Sequence, residues 1–124
     1  MVQATDHSAE LTLNVPELLS RVDNDQELMR ELLQLFRDEC PRLMQLLEAA
    51  VSKQEMRAVE TTSHSLKGML ANLSATRAAS AASSLEKISR AGKLVELKGA
   101  LAVLQSEVPA LLLELETCLD VKKP

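Results

Sequence analysis

The chain of 124 residues contains no tryptophan or tyrosine and only one phenylalanine, Phe36. Proteins that bind RNA or single-stranded DNA commonly stack the bases on aromatic side chains, and this sequence offers almost none. A basic surface is also missing from the composition, because the formal net charge at pH 7 is -4. These two absences argue against nucleic acid as a binding partner.

Long apolar runs and targeting signals are missing as well. No run of 18 or more apolar residues occurs, so we predict no membrane-spanning segment. The N-terminal segment "MVQATDHSAE" lacks the basic patch and apolar stretch of a signal peptide, and we therefore expect a cytoplasmic protein. Cys40 and Cys118 lie far apart in the sequence and are expected to be free thiols there, without ligand spacing.

Glycine is scarce, and its placement excludes one class of site. The three glycines, Gly68, Gly92 and Gly99, are scattered, so they form no glycine-rich phosphate-binding loop. A kinase-type nucleotide signature is also missing. We therefore predict neither an ATP site nor kinase activity.

Helix-forming residues dominate the sequence and repeat with helical periodicity. Asn14 and Pro16 predict the start of a short helix, and Asp25 is the predicted N-cap of the first long one. Four long helices are predicted over 25–51, 54–71, 75–91 and 93–119. We expect a kink or break near 37–40, before Pro41, and a bend before Pro109.

The connections between these helices are short, so consecutive helices should lie antiparallel. The predicted fold is all-α, an antiparallel up-down-up-down four-helix bundle with a short extra N-terminal helix. It covers residues 14–120, between a flexible arm at 1–13 and a tail at 121–124. One such domain fits the chain length and needs neither a metal nor a disulfide for its stability.

The first long helix carries two neighbouring apolar stripes, which is more than one bundle contact needs. One stripe contains Leu28, Leu32, Leu35, Glu39, Leu43 and Leu46, and the other contains Met29, Leu33, Phe36, Cys40, Met44 and Leu47. We predict that part of this excess, with the short helix, lies beside His64 and forms an apolar contact patch for a partner; the candidates are Leu18, Leu32, Leu35 and Phe36. The alternative is that the short helix simply covers the excess.

The stretch "HSLKGMLA" at 64–71 raises a separate question, because it places a glycine inside a predicted helix. On a helical wheel, Lys67, Gly68 and Ala71 lie within about 60° of His64. The apolar face is centred about 200° away, and it comprises Val59, Thr62, Leu66, Met69, Leu70 and Leu73. His64 is therefore predicted to point away from the core.

A glycine on an exposed helical position costs about 1 kcal/mol relative to alanine, so it calls for a reason. Without a Cβ at Gly68, and with only a small Ala71 beside it, another molecule can approach the imidazole closely. Neutral imidazole is a nucleophile, and Lys67 can neutralise charge on a phosphoryl group. The simpler alternative is an incidental surface histidine on a helical adaptor without catalytic function.

The stretch "HSLKGMLANLSA" resembles the signature of histidine-containing phosphotransfer (HPt) domains, roughly His-x-Leu-Lys-Gly followed by small and apolar residues. "ELMRELLQLFRDECPRLMQLLEAA" resembles the helix before that signature, and "AASSLEKISRAGKL" resembles the helix and turn after it. The matching positions are His64, Leu66, Lys67, Gly68, Asn72, Leu73 and Ala75. Ser74 departs from the usual glycine; we expect it to cap a helix in a changed loop, without loss of activity.

The resemblance implies a four-helix bundle that accepts a phosphoryl group on His64 from a receiver-domain aspartate and passes it to another receiver domain. Lys67 would stabilise the phosphoryl group, and Gly68 would leave room for it. The partners implied are receiver domains of response regulators or hybrid histidine kinases. They would supply the Mg²⁺ and the aspartate, so the resemblance implies no metal or cofactor of this chain's own. A monomer suffices for this role, and His7, in the arm, is expected to be inert. An alternative is the phosphoacceptor domain of a chemotaxis-type or hybrid histidine kinase.

Overall fold

The computed structural model describes the backbone of residues 13–121 and the side chains of residues 13–119. His7 and most of the predicted arm and tail lie outside these residues. The described part consists of helices: α1 (Val15–Arg21), α2 (Gln26–Ser52), α3 (Met56–Asn72), α4 (Thr76–Arg90), a 3₁₀ turn (Leu94–Glu96) and α5 (Leu97–Val121). The predicted all-α class is confirmed.

Helices α2 to α5 form the four-helix bundle that the sequence predicts. α3 packs against α2 and α4, and α5 packs against α4 and α2, so each long helix has two neighbours. Connections of only three residues, 53–55 and 73–75, reverse the chain on either side of α3. The short helix α1 packs on α2.

Side-chain caps begin the first two helices, as predicted. The Asn14 side chain accepts a hydrogen bond from the Glu17 N–H at 3.1 Å, and a proline occupies the first turn of α1. The Asp25 side chain accepts one from the Leu28 N–H at 3.0 Å. Each bond satisfies a backbone donor that the helix leaves unpaired at its start.

The residues that follow α1 to α4 share one kind of helix end. Each of these helices is followed by a residue with positive φ, and the next N–H bonds back to a carbonyl five residues earlier in the chain. This is the pattern of the Schellman motif. The residues at this position are Asp23 (54°), Gln54 (57°), Ser74 (59°) and Gly92 (74°), and Asn24 (62°) follows Asp23 with a positive φ as well.

Ser74 does not cap a helix, contrary to the sequence-based expectation. Its φ of 59° is the left-handed conformation that glycine adopts freely. Its hydroxyl is buried and has no hydrogen-bond partner among the described residues, and the residue next to α4 is Ala75. The loop therefore keeps the left-handed backbone conformation that suits a glycine, although a serine occupies the position.

The core contains the second apolar stripe of α2, all six residues of which are buried. Leu18 of α1 and Leu13, the last residue of the predicted arm, are buried in the same cluster. Helix α2 continues through Pro41 and α5 through Pro109, so the break considered at 37–40 does not occur. A proline costs a helix interior about 3 kcal/mol, and burying the residues around Pro41 offsets that cost.

Candidate functional site

His64 lies in the middle of α3 with its side chain 66% exposed. On the opposite face of the same helix, Val59, Leu66 and Leu70 are fully buried, while Thr62 and Met69 are half-buried. The helical wheel therefore placed the core face correctly. The imidazole stands outside the hydrophobic core, where another molecule can reach it.

One ring nitrogen of His64 is occupied by a buried carboxylate from α4. Nδ1 lies 2.8 Å from Glu86 Oε2, and the Glu86 side chain is only 5% exposed. An ionised carboxylate accepts hydrogen bonds and cannot donate them, so the Nδ1–H is the donor. In the neutral ring Nε2 then carries the lone pair, which makes Nε2 the nucleophilic atom.

Glu86 is ionised because three cationic or N–H-bearing side chains surround its carboxylate. Lys67 Nζ lies 2.8 Å from Oε1, and Arg90 donates to Oε2 at 2.8 Å beside the His64 ring. The hydrogen bond from Lys67 outweighs the effect of burial and lowers the pKa of Glu86 to about 2. The carboxylate therefore stays charged throughout the physiological pH range.

Helix α4 places this carboxylate beside α3 through its own buried face. Leu85 and Ser89 are buried next to Glu86 along the helix. Arg90, one turn after Glu86, extends outward and donates a second hydrogen bond to Glu60 of α3 at 2.8 Å. The two helices are thus joined by a network of alternating charges that ends at the His64 ring.

Lys67 is in place near His64 but is less mobile than the sequence suggests. Its side chain is 35% exposed, and its ammonium group is paired with Glu86. An incoming phosphoryl group would share or take over this ammonium group from the carboxylate. Whether Lys67 stabilises a phosphoryl group stays a prediction.

The surface beside the ring is open at Gly68. Apart from its chain neighbours and the backbone of its own helix, no described heavy atom lies within 4 Å of the position that a Cβ at residue 68 would occupy. Ala71 is exposed further along the same side of α3. Nothing within the described bundle requires glycine here, which agrees with a role in admitting a visiting molecule.

Glu86 and Arg90 are site residues that the sequence reasoning missed. Both belong to "AASSLEKISRAGKL", for which the sequence analysis predicts a helix and a turn but assigns no role to individual residues. One local signal was present: Glu86 follows Leu85 at a core-facing position of an otherwise small and apolar helix face. A buried carboxylate is rare unless it is paired, so this placement indicates a partner on a neighbouring helix.

Two of the four predicted docking residues are wrong. Leu18 and Phe36 are buried in the core and cannot contribute to an exposed patch. For these two, the alternative interpretation applies, because α1 packs on α2 and closes the core. Leu32 is half-buried, and Leu35 is 64% exposed.

The exposed leucines of α2 lie on the side of that helix nearer α3. The α5-facing edge is marked by Arg30, Arg37 and Glu48, each of which contacts a polar group of α5. The first apolar stripe of α2, which contains the exposed leucines, lies about 160° from these residues on the helical wheel. Because α2 packs between α3 and α5, this stripe runs along the α3 side; its exposed members are Leu28, Leu35 and Leu46.

Within residues 13–119, no group of three or more His, Cys, Asp or Glu side chains is arranged to hold a metal ion. No helix in the described part of the chain has the length and apolar character to span a membrane.

Comparisons with known proteins agree with this geometry. Residues 31–120 match the family model described as "Hpt domain". The fold is similar to the crystal structure of histidine-containing phosphotransfer protein B (HptB) from Pseudomonas aeruginosa PAO1, with a TM-score of 0.83 and 21% sequence identity. The alignment covers 90% of this chain and 97% of that one. No curated protein sequence matches the chain significantly.

Proposed function

Because the chain belongs to the Hpt domain family, we propose that it accepts a phosphoryl group on His64 from the aspartate of one receiver domain and passes it to the aspartate of another. The observation that carries the proposal is the state of the ring. Its Nδ1 is held by Glu86 at 2.8 Å, while the side chain is exposed beside an open surface at Gly68.

Phosphoryl transfer to His64 requires one bond to form and one to break. The Nε2 lone pair forms the N–P bond, and the P–O bond to the receiver's aspartate breaks with its electron pair going to the carboxylate. Transfer to a second receiver reverses these events, so that an aspartate oxygen attacks phosphorus and the electron pair returns to Nε2.

The chain supplies positioning and charge for this reaction, and the partner supplies the rest. Such transfers depend mostly on alignment and on neutralising the phosphoryl oxygens. Lys67 provides a cation next to the ring, and Gly68 and Ala71 leave the approach open. We expect the Mg²⁺ to be held by the receiver domain together with its aspartate.

A receiver domain also needs a surface to dock on, and the exposed leucines of α2 are the proposed one. Leu35 represents that surface best, because its side chain is large, apolar and 64% exposed on the α3 side. Leu35→Ser should weaken receiver binding by about tenfold, because apolar anchors near the centre of an interface dominate its affinity. Leu113→Ser is the matched control, since Leu113 is 70% exposed on α5, which packs against α2 and α4. Equal losses in the two variants, measured by titration calorimetry, would contradict this docking surface.

Labelling with a phosphorylated receiver domain tests the function directly. The wild-type protein should gain a phosphate that is labile in acid and stable in base, and His64→Gln should gain none. His7→Gln is the control and should be labelled like the wild type. Label that persists in His64→Gln would refute the assignment. Labelling by a kinase ATP-binding domain, and not by any receiver, would instead favour the kinase-associated alternative.

A further inference from the structure

We propose that Glu86 is a positioning residue that keeps the Nδ1 proton on His64 throughout phosphoryl transfer, so that the phosphohistidine remains a phosphoimidazolium. This inference deepens the proposed function and rests on it. It concerns the lifetime of the phosphorylated state, which the identity of the nucleophile alone does not determine.

The proton on Nδ1 decides how readily the phosphoryl group leaves Nε2. When the N–P bond forms on a ring that already carries Nδ1–H, the ring becomes a cation. Breaking the N–P bond in that cation releases a neutral imidazole. Breaking it in a ring that has lost the Nδ1 proton would release an imidazolate anion, which is a much poorer leaving group. A ring that keeps the proton can therefore accept and return the phosphoryl group without any proton transfer.

The geometry favours retention of the proton. Glu86 Oε2 lies 2.8 Å from Nδ1, and the carboxylate is 5% exposed, so water competes weakly for this hydrogen bond. A carboxylate at this distance stabilises positive charge on the ring as it develops during attack on phosphorus. Lys67 and Arg90 hold the same carboxylate from other directions and keep it ionised.

The other charged groups near the ring do not reverse this preference. On α3, Glu60 pairs with Arg90 and adds a second negative charge to the network. From α5, Glu107 pairs with Arg77, nine residues before Glu86 on α4. Within the described residues, the recorded ion pairs of α2 stay on α2 or go to α5. The carboxylate nearest the ring is therefore that of Glu86.

A purely structural role for Glu86 is the competing explanation, since the carboxylate also joins α3 to α4. The variants Glu86→Gln and Glu60→Gln separate the two roles. Both remove one carboxylate that bonds to Arg90 and keep the side-chain size, but only Glu86 contacts His64. Glu60→Gln is therefore the matched control for loss of an interhelical charge pair.

The experiment uses phosphoramidate, a small phosphoryl donor that needs no receiver domain. Two-bond ¹H–¹⁵N NMR spectra of the resting and phosphorylated protein would show which ring nitrogen carries a proton, and ³¹P NMR would give the phosphohistidine half-life. At pH 8 we expect Nδ1–H in both states of the wild type and of the control Glu60→Gln. In Glu86→Gln the phosphorylated ring should lose the proton, and the half-life should lengthen about tenfold, because the ring without this proton is the poorer leaving group.

Three results would overturn the inference. These are a half-life in Glu86→Gln within twofold of the wild type, an unchanged ring proton in that variant, and a resting wild-type ring protonated on Nε2. If Glu86→Gln fails to fold, as judged by circular dichroism, Glu86→Asp, whose shorter side chain withdraws the carboxylate, should give the same direction of change. If phosphoramidate labels His64 but no receiver domain does, the proposed function is refuted, while the three results above still decide the inference. If only a receiver domain labels His64, the same NMR measurements are made on the receiver-labelled protein.

Discussion

Replacing Ser74 should stabilise the protein, because two unfavourable features meet at this residue. Its φ of 59° lies in the left-handed region, where a side chain with a Cβ costs about 1–2 kcal/mol. Its hydroxyl is buried without a hydrogen-bond partner among the described residues, and a buried unpaired polar group costs about 1–3 kcal/mol. Both costs disappear in Ser74→Gly.

Two opposing effects reduce the expected gain. Glycine makes the unfolded chain more flexible, which costs about 0.4–1 kcal/mol. Loss of the buried side-chain carbon costs about 0.8 kcal/mol. Taking the lower end of each favourable effect, we expect Ser74→Gly to raise the free energy of unfolding by roughly 0.2–0.8 kcal/mol, or at most a few degrees in Tm.

Gln54→Gly is the matched control for the hydroxyl. Gln54 ends α2 with nearly the same φ, 57°, but its side chain is exposed. In Gln54→Gly, the relief of backbone strain and the greater flexibility of the unfolded chain should nearly cancel, so the free energy of unfolding should change little. Urea unfolding followed by circular dichroism at pH 7 measures both variants. A Ser74→Gly protein no more stable than Gln54→Gly would refute the assigned cost of the buried hydroxyl.

Three further predictions concern the site. Gly68→Gln should slow phosphotransfer because its side chain fills the open approach, while the better helix former leaves Tm equal or higher; Gly68→Ala should slow it less, and unchanged rates in stopped-flow assays would remove the clearance argument. Lys67→Ala should slow transfer by about 10²-fold without unfolding the protein, and a rate equal to the wild type would make the lysine a bystander. Because the folded-state pKa of Glu86 is about 2, below its ordinary 4.5, the stabilisation from its ionised form is complete above pH 4.5 and is lost as the pH falls toward 2. Wild type should therefore lose up to about 3 kcal/mol relative to Glu86→Gln over that window, and parallel unfolding curves from pH 6 to 2.5 would contradict this.

The boundaries of the helices follow closely from the sequence. The first long helix is predicted at 25–51 and lies at Gln26–Ser52, with the predicted cap at Asp25. The last helix is the exception, since a 3₁₀ turn occupies Leu94–Glu96 and α5 begins at Leu97. Periodicity and caps are local properties, and this turn follows a helix end whose geometry the local pattern does not specify.

The sequence also determined which side of α3 carries the exposed imidazole. The apolar residues of α3 had to turn inward, which left His64, Gly68 and Ala71 outside. It could not choose between the two stripes of α2, because both consist mainly of apolar residues. Only the positions of α1 and α5 show that Phe36 belongs to the core and that Leu35 does not.

The link between Glu86 and His64 was decided by tertiary structure alone. The two residues are 22 positions apart on different helices, and each helix pattern fixes only its own inward face. The packing of α4 against α3 sets the rotation and height at which those faces meet. The sequence by itself therefore determined the helices and the exposed imidazole of this protein. Only the packing of the bundle determined that Nδ1 of that imidazole is bonded to Glu86 and that Nε2 is not.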